Sequence, residues 1–154
     1  MITLLSALAL AAQPLPQADR LPPPDFGDKE VMAVVYALFA KLEAGDGPAL
    51  LELVYPQGRV TARGTLRSGY TGLRSQSFAE YAGAMKLGAG FHEEIGDMVI
   101  ERDGDVAMVW APFTVSIEGK LVSCGFDHFD LVRENGQWKV MNLTFSSRTE
   151  GCGA

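Results

Sequence analysis

The sequence is short of several residue types, and each shortage excludes a class of protein. Lys and Arg number 13 against 19 Asp and Glu, with no basic tail, so the clustered cations of a general nucleic-acid binder are missing. Only two histidines occur, His92 and His128, and they do not have metal-ligand spacing. No glycine-rich phosphate cradle and no nucleophile-elbow serine is present. We therefore predict no nucleic-acid partner, no metal site and no cofactor.

The first 27 residues differ in composition from the rest of the chain. Residues 1–12 form an uncharged apolar run that ends in small residues, which resembles a signal peptide without its basic n-region. This run is too short to span a bilayer, and the alternative is a frayed apolar N-terminus. Residues 13–27 contain five prolines, which favour extended structure. We predict a signal peptide at 1–12, a linker at 13–27 and export to the periplasm or the exterior.

The remaining residues, 28–152, are enough for one domain with a sizeable core, since 47% of the whole chain is hydrophobic. Asp28 is predicted to cap a first helix, whose apolar residues recur at helical spacing until Gly45, and a shorter apolar cluster after Asp46 indicates a second helix. Ser77 and Glu80 form a capping-box pattern at the start of a third helix. The first part of the domain is therefore predicted to be mainly helical.

Strands dominate the second part of the domain. One strand is predicted over residues 59–63, and after Gly90 only strands are expected. Runs rich in Val, Ile, Phe and Trp form four antiparallel strands in a meander, separated by turns at Asp103-Gly104, Glu118-Gly119 and Asn135-Gly136. Helices followed by a sheet place the domain in the α+β class.

Five short motifs carry a resemblance to a known superfamily. They are "LVYPQGRV" at 53–60, "VWAPF" at 109–113, "SCGFDHFDLVR" at 123–133, "GQWKV" at 136–140 and "GC" at 151–152. The stretch from Val31 to Cys152 resembles the nuclear transport factor 2-like superfamily, in particular its exported SnoaL-like or lumazine-binding-like branch of unknown function. The resemblance implies a cone, in which a curved antiparallel sheet wraps around N-terminal helices and encloses a pocket, often in a dimer formed through the sheet. Catalytic residues of its isomerases and dehydratases find no match here, so no reaction is implied.

Counting from two-residue turns predicts which side chains share a face of the sheet. Asp127 is then opposite Trp110 and Thr144. One face forms an apolar pocket with a few polar groups, lined by Met108, Trp110, Asp127, Phe129, Leu131, Val140, Asn142 and Thr144. The other face is too apolar to lie bare, and we expect it to form a homodimer through Val109, Ala111, Phe113, Phe126 and Phe145.

Asp127 is the candidate catalytic residue. Desolvation in an apolar cone disfavours the charged carboxylate, which raises its pKa and would make it a general base or a protonated donor. The alternative is structural, with Asp127 accepting hydrogen bonds from Trp110, Thr144 or a loop backbone. We favour the structural role.

Four arginines, Arg59, Arg63, Arg67 and Arg74, lie in a window without acids, residues 53–79. Some of them could reach the mouth of the pocket and bind a carboxylate or phosphate of a ligand. The simpler alternative, which we favour, is surface pairing with the acids that crowd residues 93–105.

The two cysteines, Cys124 and Cys152, are expected to form a disulfide, because an even pair in an exported chain is more often bridged than free. With the turn at Asn135-Gly136 setting the register, Cys124 lies opposite Ser147, and a five-residue step brings Cys152 back to it.

The sequence thus favours an exported cone protein that binds a small apolar or aromatic molecule without chemistry. Two alternatives stay open. One is an acid/base enzyme of the isomerase, dehydratase or cyclase type that uses Asp127, and the other is a dimeric interaction domain with a vestigial cavity.

Overall fold

The computed structural model describes residues 26–85 and 90–153. The predicted signal peptide and residues 13–25 of the predicted linker lie outside the described residues. No helix in the described part is long and apolar enough to cross a membrane. The elements in chain order are α1 (Phe26–Ala44), α2 (Gly47–Glu52), β1 (Val54–Thr65), β2 (Thr71–Ser77), α3 (Phe78–Gly83), β3 (Phe91–Ile95), β4 (Val99–Asp103), β5 (Val106–Ile117), β6 (Lys120–Glu134) and β7 (Gln137–Ser147).

Side-chain caps fix the starts of the two short helices, and the one on α3 is the predicted capping box. The first helix begins at Phe26, so Asp28 lies in its first turn and is not its cap as predicted. Asp46 caps α2 by accepting a hydrogen bond from the Ala49 amide at 3.1 Å. Ser77 and Glu80 form a reciprocal capping box on α3, in which the Ser77 amide donates to Glu80 Oε2 at 2.7 Å and the Glu80 amide donates to Ser77 Oγ at 3.1 Å. Both caps satisfy amides that have no partner within the helix.

The strands form one curved sheet in the order β2-β1-β7-β6-β5-β3. The α+β class and the cone predicted from the resemblance are confirmed. All pairings are antiparallel except β1 with β7, so the sheet is mixed rather than wholly antiparallel. The strand predicted over 59–63 is longer, and β2 was not predicted because its polar residues show no apolar alternation.

The region after Gly90 contains five strands instead of the predicted four. Both β3 and β4 pair with the same edge of β5, β3 along its C-terminal half and β4 along its N-terminal half. Pro112 lies at the break between them, where its carbonyl accepts a hydrogen bond from the Gly96 amide at 2.8 Å. Proline has no amide hydrogen to continue the ladder, which explains why the edge is divided there.

The turns of the three hairpins formed by β4 to β7 are each two residues long, as predicted. Asn135 and Gly136 both adopt positive φ, and Glu134 pairs with Gln137, as a two-residue turn requires. The first turn is one position later than predicted, so Val99 pairs with Trp110. This slip of two residues in the pairing leaves side chains on their predicted faces.

Two bulges then overturn the predicted register. Leu121 and Ser123 pair with neighbouring residues of β5, which leaves Val122 as an extra residue in β6. Met141 is likewise an extra residue in β7. One inserted residue moves every later side chain to the opposite face. The predicted grouping of faces is therefore wrong between β5 and β6, and between β6 and the part of β7 after Met141.

The corrected register divides the predicted residues between the two faces. Asp127 pairs with Ala111 and Phe145, whereas Trp110 pairs with His128. Of the predicted pocket, the residues on the inner face, toward the helices, are Asp127, Phe129, Leu131 and Val140, and those on the outer face are Met108, Trp110, Asn142 and Thr144. Of the predicted dimer contact, only Phe126 is on the outer face, while Val109, Ala111, Phe113 and Phe145 are on the inner face.

The core lies between the inner face of the sheet and the helices. Phe39 of α1 meets Phe129 of β6 edge to face, with ring centroids 6.0 Å apart. Val31, Val35 and Leu38 of α1 are fully or almost fully buried. Burying side chains of this size contributes roughly 1.5–3 kcal/mol each, so α1 is held mainly by its apolar stripe.

The predicted disulfide between Cys124 and Cys152 is confirmed, with the two Cα atoms 5.5 Å apart. Cys124 pairs with Arg148 through two backbone hydrogen bonds of 3.0 and 2.9 Å, rather than with Ser147. The one-residue difference is the effect of the bulge at Met141.

Candidate functional site

A cavity of about 380 Å³ opens between the inner face of the sheet, the C-terminal half of α1 and α3. Its walls are largely apolar, with Phe39, Phe113, Leu143 and Phe145 among them. Asp127 is the one predicted pocket residue that lines it. The volume is in the range of small-molecule sites.

Asp127 is the most deeply buried polar group of this cavity, with 2% of its surface exposed. Its Oδ2 atom has no hydrogen-bond partner among the described residues. Burial raises the pKa of its carboxyl well above the usual value, and the charge of Glu93 raises it further. The side-chain donors considered for a structural role, Trp110 and Thr144, lie on the outer face, so Asp127 does not have those partners.

Glu93 is a second carboxyl in the same cavity, and sequence reasoning missed it. It lies on β3, is partly buried and pairs with Val115 of β5. Burial raises its pKa to about 8. The signal was present in the alternation of β3, because Glu93 shares its face with the apolar residues Phe91 and Ile95.

Tyr81 brings a hydroxyl to the same space from α3. Burial raises the pKa of this phenol, and the nearby carboxyls of Glu93 and Asp127 act in the same direction. Arg67 and Arg74 oppose that shift. The cavity therefore combines two carboxyls and a phenol that all favour their protonated forms.

Arg67 and Arg74 are exposed and line the mouth of the cavity. The Arg67 guanidinium lies 5.8 Å from the centre of the Phe91 ring, and Arg74 Nη2 donates to Gln76 Oε1 at 3.3 Å. Neither guanidinium belongs to an ion pair within residues 26–85 and 90–153. The surface pairing that we favoured for these two arginines is therefore wrong for the described residues.

The other two arginines of the window do not line this cavity. Arg59 donates from Nε and Nη2 to Ser75 Oγ at 3.1 and 3.0 Å, and Arg63 is exposed on β1. In the part of the chain that the structure describes, neither forms an ion pair with the acids of residues 93–105.

A second concavity of about 470 Å³ adjoins the mouth and shares Arg67, Arg74 and Tyr81 with the first. Glu43 lines it, and its Oε1 atom is 3.1 Å from His92 Nδ1. The two arginines thus lie where the inner cavity meets an outer one.

Comparison with solved structures identifies the fold of the chain. No protein-family model and no curated protein matches the sequence. A protein of unknown function with a cystatin-like fold from Nostoc punctiforme superposes with a TM-score of 0.65, at 14% identity, over 80% of this chain and 92% of its own. The chain has the cystatin-like fold of nuclear transport factor 2-like proteins. A nuclear transport factor 2-like protein from Novosphingobium aromaticivorans gives a TM-score of 0.62 at 15% identity, over 82% of this chain and 84% of its own.

A nuclear transport factor 2-like protein from Cytophaga hutchinsonii agrees, with a TM-score of 0.61 at 13% identity over 81% of this chain and all of its own. The resemblance found in the motifs is thereby confirmed at the level of the fold. Identities this low carry no activity from one protein to another.

The outer face of the sheet carries an exposed aromatic cluster. Trp110 is 45% exposed and stacks on Phe126 with ring centroids 5.3 Å apart. His128 lies next to Trp110, with 6.2 Å between ring centroids, and Pro112 is exposed beside them. We call these four residues the outer aromatic patch.

No metal centre is formed by the described residues of the cone. Groups of three or more His, Cys, Asp or Glu able to hold an ion are absent from residues 26–85 and 90–153. His128 Nε2 lies 3.8 Å from Asp130 Oδ1 on the outer face, away from Asp127. That the protein functions without a metal or a cofactor stays a prediction.

Proposed function

We propose that this cone binds a small apolar or aromatic molecule in the cavity around Asp127, without chemistry, outside the cytoplasm. The observation that carries the proposal is the buried Oδ2 atom of Asp127, which has no partner among the described residues, in an otherwise apolar cavity. Leaving such a group unpaired costs about 1–3 kcal/mol, which a hydrogen-bonding ligand would offset.

The chemistry of the cavity limits what the ligand can be. The raised pKa of Asp127 favours a neutral carboxyl that donates a hydrogen bond to a ligand carbonyl or hydroxyl oxygen. Phe113 and Phe145 meet edge to face with centroids 6.0 Å apart and offer an aromatic wall. A flat ring with one polar substituent fits both features.

An acid/base enzyme of the isomerase, dehydratase or cyclase type is the second candidate. Its support is that Glu93 and Tyr81 line the same cavity as Asp127, so three groups that can exchange a proton share one space. The open cavity favours either of these functions over an interaction domain with a vestigial cavity.

We also propose that the protein is a homodimer and that the outer aromatic patch forms the contact. The dimer predicted from the sequence used the sheet face, and the corrected register replaces its residues with Trp110, Pro112, Phe126 and His128. An exposed tryptophan stacked on a second aromatic ring is typical of the centre of an interface.

Export is proposed together with binding. A disulfide persists in oxidising compartments, and the bond between Cys124 and Cys152 supports a periplasmic or secreted location. The signal peptide at 1–12, the linker at 13–27 and the SnoaL-like or lumazine-binding-like assignment stay predictions.

A panel of monocyclic and bicyclic aromatic compounds tests the binding proposal by thermal shift and calorimetry. Ser123→Leu places bulk in the cavity and is expected to weaken any binding by about tenfold or more. Thr144→Leu, on the outer face, is the matched control and should leave binding unchanged. A panel with no binder, or binding indifferent to Ser123→Leu, would contradict the proposal.

A further inference from the structure

The polar groups of the cavity are separated by depth. Asp127 is 2% exposed at the inner end, and Glu93 is partly buried. Arg67 and Arg74 are exposed at the opening, where the inner cavity and the outer concavity meet. A ligand that enters therefore passes two guanidinium groups before it reaches the carboxyls.

The two arginines hold their positions through neutral contacts. Arg67 packs over the Phe91 ring, and Arg74 donates to the amide oxygen of Gln76. The ion pairs found in the described part of the chain leave both arginines out. Their charge at the mouth is consequently not offset by a carboxylate contact within the structure.

The inner carboxyls do not restore a negative charge at neutral pH. Burial raises the pKa of Glu93 to about 8 and that of Asp127 well above its usual value, so both groups favour the neutral acid. The cavity is then neutral at its base and positive at its mouth.

We propose that the ligand is an amphipathic organic acid, whose carboxylate binds Arg67 and Arg74 at the mouth while its apolar body lies against Phe113 and Phe145. The inference rests on the proposed binding function and specifies its ligand class. Guanidinium groups bind a carboxylate through paired, charge-assisted hydrogen bonds, which makes them more selective for this group than a single ammonium would be. A neutral polar substituent at the far end of the ligand meets Asp127.

The surroundings argue against the other charge types. An amine would place a cation beside two guanidinium groups, with neutral acids behind them. A second negative charge on the side of the outer concavity would face Glu43, whose Oε1 atom lies beside His92. The charges around the mouth therefore favour a single carboxylate.

Three probes of one shape test the inference: naphthoate, naphthamide and naphthylmethylamine, each titrated by calorimetry near neutral pH. We expect naphthoate to bind about tenfold tighter than naphthamide, and the amine to bind most weakly. Arg67→Gln and Arg74→Gln should each remove most of the preference for naphthoate, because each weakens the binding of naphthoate far more than that of naphthamide. Arg63→Gln, exposed on β1 and outside the cavity lining, should change neither affinity.

The outcomes separate the two proposals. Binding of none of the three probes would contradict the proposed function and this inference with it. Naphthamide binding as tightly as naphthoate, or a preference that survives both arginine replacements, would leave the binding function standing and overturn the inference. Arg74→Glu offers a second readout, because a reversed charge at the mouth should shift the preference from naphthoate toward the amine. The thermal melt of each variant confirms that these exposed substitutions leave the fold intact.

Discussion

Trp110 and Asp127 lie on opposite faces of the sheet, because Trp110 pairs with His128 and Asp127 pairs with Ala111. The exposed indole therefore faces away from the helices, while the carboxyl closes the inner end of the cavity. One pair of adjacent strands thus serves two surfaces with different chemistry, and substitutions on the two faces should have separable effects.

Replacing Asp127 with Asn should make stability less dependent on pH. The pKa of Asp127 is raised in the folded state, so folding favours the protonated acid, and wild-type stability falls as pH rises above about 4 toward that raised pKa. The Asp127→Asn variant cannot ionise, so its free energy of unfolding should exceed that of wild type by about 1–2 kcal/mol at alkaline pH and differ little at acid pH.

Urea denaturation of wild type and variant across the pH range measures this difference. Asp103→Asn, at the exposed end of β4, is the control, and an equal loss at every pH would indicate that Asp127 is needed as a structural acceptor.

Naphthoate binding should weaken as pH rises through about 8, where Glu93 ionises. The groups that face Glu93 in the cavity are Asp127, Tyr81, Arg67 and Arg74; beyond the mouth, His92 pairs with Glu43. New negative charge beside the ligand carboxylate opposes binding.

Calorimetry at several pH values checks this expectation, with naphthamide as the neutral reference. Glu93→Gln should hold naphthoate affinity nearly constant through that range. A pH profile that is the same for wild type and Glu93→Gln would show that another group controls it.

Removing the disulfide should lower the free energy of unfolding by about 3–4 kcal/mol in the chain-entropy model, since the bond closes a long loop. The disulfide joins two cysteines that are 28 positions apart in the sequence. Cys152→Ser is the gentler variant, because Cys124 is buried and Cys152 is only partly buried. Urea denaturation of wild type with and without reductant gives the effect, and reductant should not affect the variant. Free thiols in denatured, unreduced protein from an oxidising compartment would contradict the bond.

Trp110→Glu should convert the proposed homodimer to a monomer without unfolding it. The substitution places a charge in the outer aromatic patch, and Trp110 is 45% exposed in the single chain. Sedimentation at micromolar concentration measures the change. Leu73→Glu, at a residue 64% exposed on β2, is the control and should stay dimeric. Monomeric wild type would refute the dimer, and a dimeric Trp110→Glu variant would refute this contact.

Local rules predicted the capping box of α3 and the disulfide, whereas α1 begins at Phe26, two residues before its predicted cap. Asp46 and Ser77 cap their helices because short polar side chains satisfy free amides within a few residues of themselves. Cys124 and Cys152 could be paired because only two cysteines exist. The caps depend on residues that are close together in the sequence, and two cysteines allow only one intramolecular pair.

The candidate site could be predicted only in part, because it depends on relationships between distant strands. Asp127 was found from its residue type and strand, but its face depended on the extra residues Val122 and Met141, which no turn signal announces. Glu93 was missed because β3 is short and half polar. Arg67 reaches the mouth through a hairpin whose second strand has no apolar pattern to reveal it.

The position of β7 between β1 and β6 determines the order in which this protein can be completed. Strands β1 and β2 pair with the remainder of the sheet only through β7, whose partner β1 lies some eighty residues earlier in the chain. During synthesis, β1 and β2 can contact α2 and α3, but β1 lacks its partner in the sheet until residues 137–147 have been made. The two parts of the sheet are therefore joined only when its last strand has been made.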